Sequence, residues 1–299
     1  MTKNKQITKI FIFVLLIVLI TIATGCKTSD YIYYKNEKYG SFKRQKFDLY
    51  LPNDMKGSTN GGLVLYIHGG AWVAGDKDGY EDEMKRNAKE GGYAYAAMNY
   101  HYIDDKTDAF VILNDVFLAL DDIKKLAKEN DIELTKVLLT GESAGAHIAL
   151  LYAYSYFYVE PFYSPIVPTC VVSYSGPTDI TNQDYYTMEA LAGQAYELFS
   201  KLSGFKYNEE TYEDAFEYLL KVSPVYYALK NAVPTVICHG AKDTVVPVSD
   251  AYRLDSVLTT NNIPHDLIIF PNSNHGLESD PDKWDEATNL FKQYMEKYL

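Results

Sequence analysis

The chain has 299 residues, of which 47% are hydrophobic and 23% charged, and its formal net charge is −12 at pH 7. This composition is that of a globular protein and excludes a disordered chain, a collagen-like repeat and a polytopic membrane protein. The acidic balance disfavours nucleic acid as a partner, because phosphate backbones attract basic surfaces, and three cysteines are too few for a disulfide framework.

Residues 1–25 have the pattern of a secretory signal peptide. A lysine-containing start without acidic residues precedes an apolar stretch over residues 10–22, and small residues then lead to Cys26. The apolar stretch is too short to span a bilayer comfortably, which favours a signal peptide over a permanent transmembrane helix.

The residues that end at Cys26 resemble a bacterial lipoprotein signal. The resemblance implies that Cys26 becomes the lipidated N-terminus and that the protein is exported and anchored to the outer face of a bacterial membrane, in the cell envelope. Two acyl chains suffice for stable anchoring where a single chain is marginal. Residues 26–41 are polar and tyrosine-rich, and we interpret them as a tether. The alternative is an ordinary cleaved signal or an uncleaved anchor in which Cys26 has no role.

Residues 42–299 contain short apolar segments that alternate with helical patterns. The predicted strands cover residues 47–51, 63–67, 93–98, 137–139, 170–172, 235–238 and 267–270. Continuous apolar runs of this length indicate strands buried on both faces, as in a parallel sheet. The alternation predicts an α/β fold with a mostly parallel, doubly wound sheet, whose ligands lie at the carboxyl ends of the strands.

The alternation is interrupted over about residues 182–225. Two apolar stripes at helical spacing occur there, and the opposite positions carry acidic residues. We interpret this segment as a helical cap insertion that is apolar beneath and acidic above.

A G-x-S-x-G motif at residues 141–145 lies between a predicted buried strand and a predicted helix. This context places Ser143 on a sharp turn with its hydroxyl exposed. The small residues at both ends of the motif allow the backbone to close up. The sequence therefore predicts Ser143 as a nucleophile.

The sequence HGGAW at residues 68–72 directly follows another predicted strand. With these two motifs the chain resembles an α/β-hydrolase of the HGGG-type esterase/lipase group, which includes acetylxylan and feruloyl esterase-like enzymes. The resemblance covers about residues 46–299. It implies an oxyanion hole formed by the backbone N–H groups of Gly70, Ala71 and Ala144, with Ala71 in place of the third glycine.

Asp243 and His275 each follow a predicted strand near the carboxyl end of the chain. The order Ser143, Asp243, His275 is the order found in α/β-hydrolases. The resemblance therefore implies a catalytic triad in which His275 is the base and Asp243 orients it. Asp179 also lies near a strand end and is the alternative acid.

Two further histidines receive structural interpretations. His147 follows Ser143 by one helical turn, so we expect it to be buried in helix packing. His239 ends a predicted strand and is expected to support the turn that carries Asp243. His101 stands where relatives often have arginine, which leaves open what supports that loop.

The sequence therefore predicts a serine carboxylic-ester hydrolase that needs no cofactor. The six histidines show no metal-binding spacing, so no catalytic metal is predicted. The acidic exterior of the cap favours short acyl groups on soluble or carbohydrate carriers, and the resemblance suggests acetylated or feruloylated carbohydrates. The 28 tyrosines could provide sugar-stacking platforms, although ordinary use in the core and on the surface is the simpler interpretation.

The alternatives within the same fold are an amidase or peptidase and an aryl-formamidase. A non-catalytic hydrolase-fold lipoprotein with a binding or adhesion role is the alternative from another class. In the favoured interpretation the partners are a small-molecule or carbohydrate ester and, through Cys26, the membrane.

Overall fold

The computed structural model describes residues 30–156, 163–191, 193–229 and 232–299. The predicted signal peptide, Cys26 and the first residues of the predicted tether lie outside this part of the chain. Tyr31–Leu299 forms one compact unit. Among the described residues, none of the helices combines the length and apolar character that crossing a bilayer requires.

Across the described ranges, eight strands form one sheet in the order β1-β2-β4-β3-β5-β6-β7-β8. The strands are β1 (Tyr31–Lys38), β2 (Lys46–Pro52), β3 (Gly61–Ile67), β4 (Ala94–Met98), β5 (Leu134–Glu142), β6 (Val167–Tyr174), β7 (Thr235–Gly240) and β8 (His265–Phe270). Strands β3 to β8 are parallel to one another, whereas β2 pairs antiparallel with both β1 and β4. The predicted α/β fold and all seven predicted strands are confirmed.

The structure corrects the predicted tether. Tyr31–Lys38 is an edge strand rather than a spacer, so the folded domain begins no later than Tyr31 instead of at residue 42. Its rings pack on the sheet: the ring of Tyr33 stacks on that of Tyr50 with centroids 4.3 Å apart. An edge strand remains partly exposed and polar, so its composition resembles that of a spacer.

Helices cover both faces of the sheet. They are α1 (Glu81–Glu90), α2 (Ala109–Glu129), α3 (Ala144–Ser155), α4 (Ala195–Ser203), α5 (Tyr212–Lys221), α6 (Pro224–Ala228), α7 (Val248–Thr260) and α8 (Pro281–Tyr298). Helices α1 and α8 pack with one face of the sheet in one apolar cluster. Helices α2 to α7 belong to the larger cluster on the other face.

The predicted cap insertion is helical and connects β6 to β7 through α4, α5 and α6. Phe199 and Leu219 are buried on its inner side, while Glu213 and Glu217 are exposed as predicted. The sequence places Phe216 on the second apolar stripe of this segment, together with Tyr212, Ala215 and Leu219, but its side chain is 37% exposed instead of buried. The cap contacts the rest of the domain on the side of α3, against which α6 packs.

Candidate active site

Ser143 occupies the turn between β5 and α3 with φ 51° and ψ −122°. This left-handed backbone is rare for a residue with a side chain and costs of order 1–3 kcal/mol. The flanking glycines make it possible, because a Cβ atom at Gly141 or Gly145 would collide with the carbonyl oxygen of Ile67. The Ser143 N–H donates to the carbonyl of Tyr174 at 2.8 Å, which fixes the turn against β6.

His275 joins Ser143 to Asp243. Its Nε2 lies 2.9 Å from the Ser143 Oγ, and its Nδ1 lies 2.7 Å from the Asp243 Oδ2. Because the carboxylate can only accept, Nδ1 carries the proton and Nε2 is free to accept the proton of the serine. The three residues therefore have the geometry of a nucleophile, a base and an orienting acid.

Asp243 is held as a carboxylate. Burial acts to raise its pKa, but the hydrogen bonds from His239 and His275 outweigh burial and hold the pKa well below its usual range. The backbone N–H groups of Val245 and Val246 also donate to its Oδ1, at 2.8 and 2.9 Å. The predicted support of this turn by His239 is confirmed, since the His239 Nε2 lies 3.3 Å from the Asp243 Oδ2.

The predicted oxyanion loop lies beside the nucleophile. Gly70, Ala71 and Trp72 have φ values of 114°, 49° and 60°, so three successive residues are in the left-handed region. The N–H groups of Val73 and Ala74 donate to the Gly70 carbonyl, which closes the loop into a tight turn.

The third predicted donor, Ala144, is the first residue of α3. The N–H groups of the first helical turn have no acceptor within the helix. The structure thus brings Gly70, Ala71, Ser143 and His275 to one cleft, with Ala144 directly after the nucleophile.

Arg44 supports the oxyanion loop and was not predicted from the sequence. Its Nε donates to the Tyr100 carbonyl, and its Nη2 donates to the Gly75 carbonyl, each at 3.0 Å. The Nη2 also lies 3.1 Å from the His68 Nε2. Arg44 therefore connects both ends of the loop that carries Gly70 to the neighbouring strand end.

His68 is neutral at neutral pH. Burial, together with the positive charge of Arg44, lowers its pKa to about 4. The hydrogen bond to the Gly69 carbonyl acts in the opposite direction but is outweighed. Its Nδ1 lies 2.7 Å from the Gly69 carbonyl oxygen, so Nδ1 donates and Nε2 accepts from Arg44. In this chain an arginine at position 44 supports the loop. His101, which stands where relatives often have arginine, binds the Asp115 Oδ2 through its Nδ1 at 2.7 Å instead.

The alternative acid and the neighbouring histidine do not join the site. The Asp179 carboxylate pairs with Arg253 and accepts from Thr181. His147 is fully buried, accepts from the Trp72 Nε1 at 3.2 Å and donates to the Val222 carbonyl at 2.8 Å. The prediction that His147 is structural is confirmed.

The cleft that contains Ser143 and His275 has a volume of about 1270 Å³. None of the described residues within 182–225 lines it, so the described part of the cap does not form a wall of the cleft. The acidic exterior of the cap is therefore no guide to the substrate. Among the residues that the structure describes, no group of His, Cys, Asp and Glu side chains is arranged to hold a metal ion.

Comparisons with known proteins agree with this architecture. The BD-FAE family model matches residues 47–258. The chain is 27% identical over 230 residues to the probable carboxylic ester hydrolase LipM of Mycobacterium tuberculosis. The matched region covers 74% of this chain and 51% of that protein. The chain thus spans about half the length of this curated relative.

Solved esterase structures share the fold. Esterase B from Lactobacillus rhamnosis (HN001) superposes with a TM-score of 0.68 at 19% identity, covering 97% of this chain and 93% of the other. A truncated carbohydrate esterase from gut microbiota has a TM-score of 0.68 at 18% identity, covering 92% of this chain and 100% of the other. The α/β-hydrolase fold predicted from the sequence is confirmed.

Proposed function

The chain belongs to the BD-FAE family, and on this basis we propose that it is a serine carboxylic-ester hydrolase with Ser143 as its nucleophile. The observation that carries the proposal is the continuous hydrogen-bonded chain from Ser143 through His275 to Asp243, with distances of 2.9 and 2.7 Å. The name of the relative LipM, a probable carboxylic ester hydrolase, supports the same reaction class.

The first half of the reaction is acylation. The Ser143 Oγ attacks the ester carbonyl carbon while the His275 Nε2 takes the hydroxyl proton. Asp243 stabilises the imidazolium that results, and the N–H groups of Gly70, Ala71 and Ala144 bind the oxyanion. The carbon–oxygen bond to the alcohol then breaks, and His275 gives its proton to the leaving oxygen.

The second half is hydrolysis of the acyl-enzyme. Water gives a proton to the His275 Nε2 and attacks the acyl carbon, with the same N–H groups binding the oxyanion. The tetrahedral intermediate collapses, the Ser143 Oγ leaves and regains its proton from His275, and the free acid departs. Apart from the ester and water, the steps use only groups of the chain itself.

We further propose that the substrates are short-chain acyl esters, with acetylated or feruloylated carbohydrates as the natural class. The name of the carbohydrate esterase among the structural neighbours is consistent with this class.

We also propose that the protein is exported and held at the outer face of a bacterial membrane by lipid on Cys26. The support is the sequence pattern of residues 1–26 alone. Cys26→Ser should move the protein from the membrane fraction to the soluble fraction of cells that express it. If the variant stays with membranes as the wild type does, the anchor is not lipid on Cys26.

Initial rates on p-nitrophenyl acetate, butyrate and laurate test the activity, with the full chain purified in mild detergent. We expect the rates to fall from acetate to laurate, and Ser143→Ala to lose at least about 10³-fold in kcat. Equal rates of wild type and Ser143→Ala on all three esters would refute ester hydrolysis through Ser143. The amide and formamide analogues of these substrates would then test the amidase and aryl-formamidase alternatives.

A further inference from the structure

Trp72 belongs to the loop of the proposed oxyanion donors, but its side chain is turned away from the cleft. Residues 69–71 and 73–74 line the cleft, whereas Trp72 does not, and it is 3% exposed. Its backbone has φ 60°, a conformation that a bulky residue adopts when its surroundings hold it there. The contacts of the indole therefore help to hold the N–H groups of Gly70 and Ala71 in place.

The indole of Trp72 is bound by His147. Its Nε1 donates to the His147 Nδ1 at 3.2 Å, and the two rings meet edge to face with centroids 5.1 Å apart. Because Nδ1 accepts, the proton of the neutral imidazole is on Nε2, which donates to the Val222 carbonyl at 2.8 Å. The backbone N–H of His147 donates to the carbonyl of Ser143 at 3.0 Å. One buried imidazole thus joins the loop, the helix of the nucleophile and the segment that carries Val222.

Both partners on the far side of Trp72 and His147 belong to the cap. Val222 ends α5, and the last carbonyls of a helix have no partner within the helix, so they can accept from a side chain. Phe199 on α4 contacts the indole of Trp72 with ring centroids 6.4 Å apart. Phe199 is buried and packs in turn against Tyr185 at 5.1 Å. The cap therefore reaches the loop twice, through an aromatic contact and through the hydrogen bonds of His147.

We infer that the cap takes part in the reaction without lining the cleft, and that Trp72 and His147 are the positioning residues through which it holds the oxyanion donors. The inference rests on the proposed ester hydrolysis and adds to it the device that keeps Gly70 and Ala71 in place. These N–H groups act only if they point to the position where the oxygen becomes negative in the transition state. A small displacement caused far from the reacting atoms is enough to lower the rate.

Trp72→Phe removes the hydrogen bond to His147 and keeps an aromatic ring. Rates are measured on p-nitrophenyl acetate with the full chain in mild detergent. We expect kcat to fall about tenfold, less than the 10²–10³ that the loss of a whole oxyanion donor costs. KM should change by less than about twofold, because displaced donors weaken the binding of the transition state and not that of the ester.

Phenylboronic acid measures the same donors without turnover. Its boron bonds to the serine oxygen, and the tetrahedral adduct resembles the transition state, so its affinity should fall about as much as kcat does in Trp72→Phe. Leu258→Ala, which empties a buried position on α7, is the control for lost stability. It should keep the wild-type kcat and the wild-type affinity for the boronic acid. Equal losses in Leu258→Ala and Trp72→Phe would reduce the role of Trp72 to stability and overturn the inference.

A double-mutant cycle shows whether Trp72 and His147 act through each other. The side chain of His147→Gln can still donate to the Val222 carbonyl but has no acceptor at the place of Nδ1, so kcat should again fall about tenfold. Trp72→Phe/His147→Gln should lose no more than the larger single loss, because both changes break one hydrogen bond. Losses that multiply to about 100-fold, or a wild-type kcat in Trp72→Phe, would overturn the inference.

The contribution of the cap is tested at Phe199, which contacts Trp72 and does not line the cleft. Phe199→Ala should lower kcat at least about threefold with little change in KM. Phe205→Ala is the matched control, since it removes an aromatic side chain that stacks on Tyr218 within the same insertion. It should keep the wild-type kcat. Equal losses in the two variants, or none in Phe199→Ala, would show that the cap does not hold the loop.

The indole N–H of Trp72 reports these contacts without any catalysis. The chain has two tryptophans, so protein labelled with nitrogen-15 gives two indole signals in NMR spectra, and Trp72→Phe identifies the signal of Trp72. We expect its hydrogen exchange to be at least about tenfold faster in His147→Gln and in Phe199→Ala than in the wild type. Equal exchange rates in these proteins would overturn the inference. Inactivity of the wild type on every ester would refute the proposed function instead, which this measurement does not require.

Discussion

The Arg44 Nη2 lies 3.1 Å from the His68 Nε2, at the start of the loop that carries the proposed oxyanion donors. The same guanidinium donates to Gly75 beyond the loop and to Tyr100 on the neighbouring strand end. One side chain thus fixes a loop in which three successive residues have positive φ.

Arg44→Ala should therefore lower kcat more than it raises KM. Removing one oxyanion donor costs about 10²–10³ in kcat, and we expect a loop that is held less well to lose about tenfold to 100-fold. The measurement is the pair kcat and KM on p-nitrophenyl acetate. Guanidinium ion should restore part of the activity of Arg44→Ala, whereas sodium chloride at equal ionic strength should not. A rise in KM alone, or no rescue, would contradict a positioning role.

Asp243→Asn should lower kcat by about 10⁴, the cost of a wrongly oriented histidine tautomer in a serine triad. The asparagine Oδ1 can still accept from Val245 and Val246, so the turn is expected to keep its fold. Asp179→Asn is the matched control, because Asp179 pairs with Arg253 and not with His275. A larger kcat loss in Asp179→Asn than in Asp243→Asn would show that the acid has been misassigned.

The proposed triad could be predicted from the sequence, whereas the support of the loop by Arg44 could not. Ser143, Asp243 and His275 could be found because each follows an apolar strand whose carboxyl end lies at one edge of the sheet. Arg44 gave no such signal, since its partners are between 24 and 56 positions away and depend on how the loops meet.

β1 was missed for a different reason, because an exposed edge strand lacks the apolar run that marks a buried one.

His147 should make stability depend on pH. Burial lowers the pKa of this histidine to about 4, so between pH 6.5 and 4 the unfolded chain takes up a proton that the folded chain excludes. The contribution is fully present above the unfolded pKa and is lost as pH falls, at up to about 1.4 kcal/mol per pH unit.

Urea unfolding at pH 7, 6 and 5 checks this dependence. In His147→Gln the free energy of unfolding should fall less steeply between pH 6 and 5 than in the wild type, even if the variant is less stable throughout. Parallel curves for the two proteins would show that His147 is not buried in its neutral form.

Lys77 and Asp48 form a buried ion pair, with the Lys77 Nζ 2.8 Å from the Asp48 Oδ2 and both side chains at most 1% exposed. Lys77→Met should destabilise the fold by about 3–5 kcal/mol, because it leaves a buried carboxylate without its partner. The double variant Lys77→Met/Asp48→Leu should recover much of that loss. Denaturant unfolding of the two single variants and the double variant measures the coupling. Additive losses would mean that the pair is not coupled.

The position of the cap has a consequence for altering this protein. The described residues of α4 to α6 do not line the cleft, but the inner side of the insertion contacts the loop of the proposed oxyanion donors through Phe199 and Trp72. Only its outer surface can therefore be varied independently of the reaction. Exchanging exposed residues there, such as Glu213 and Glu217, would change the solubility of the protein while the cleft keeps its lining. The net charge of the molecule can thus be altered without changing any residue of the candidate active site.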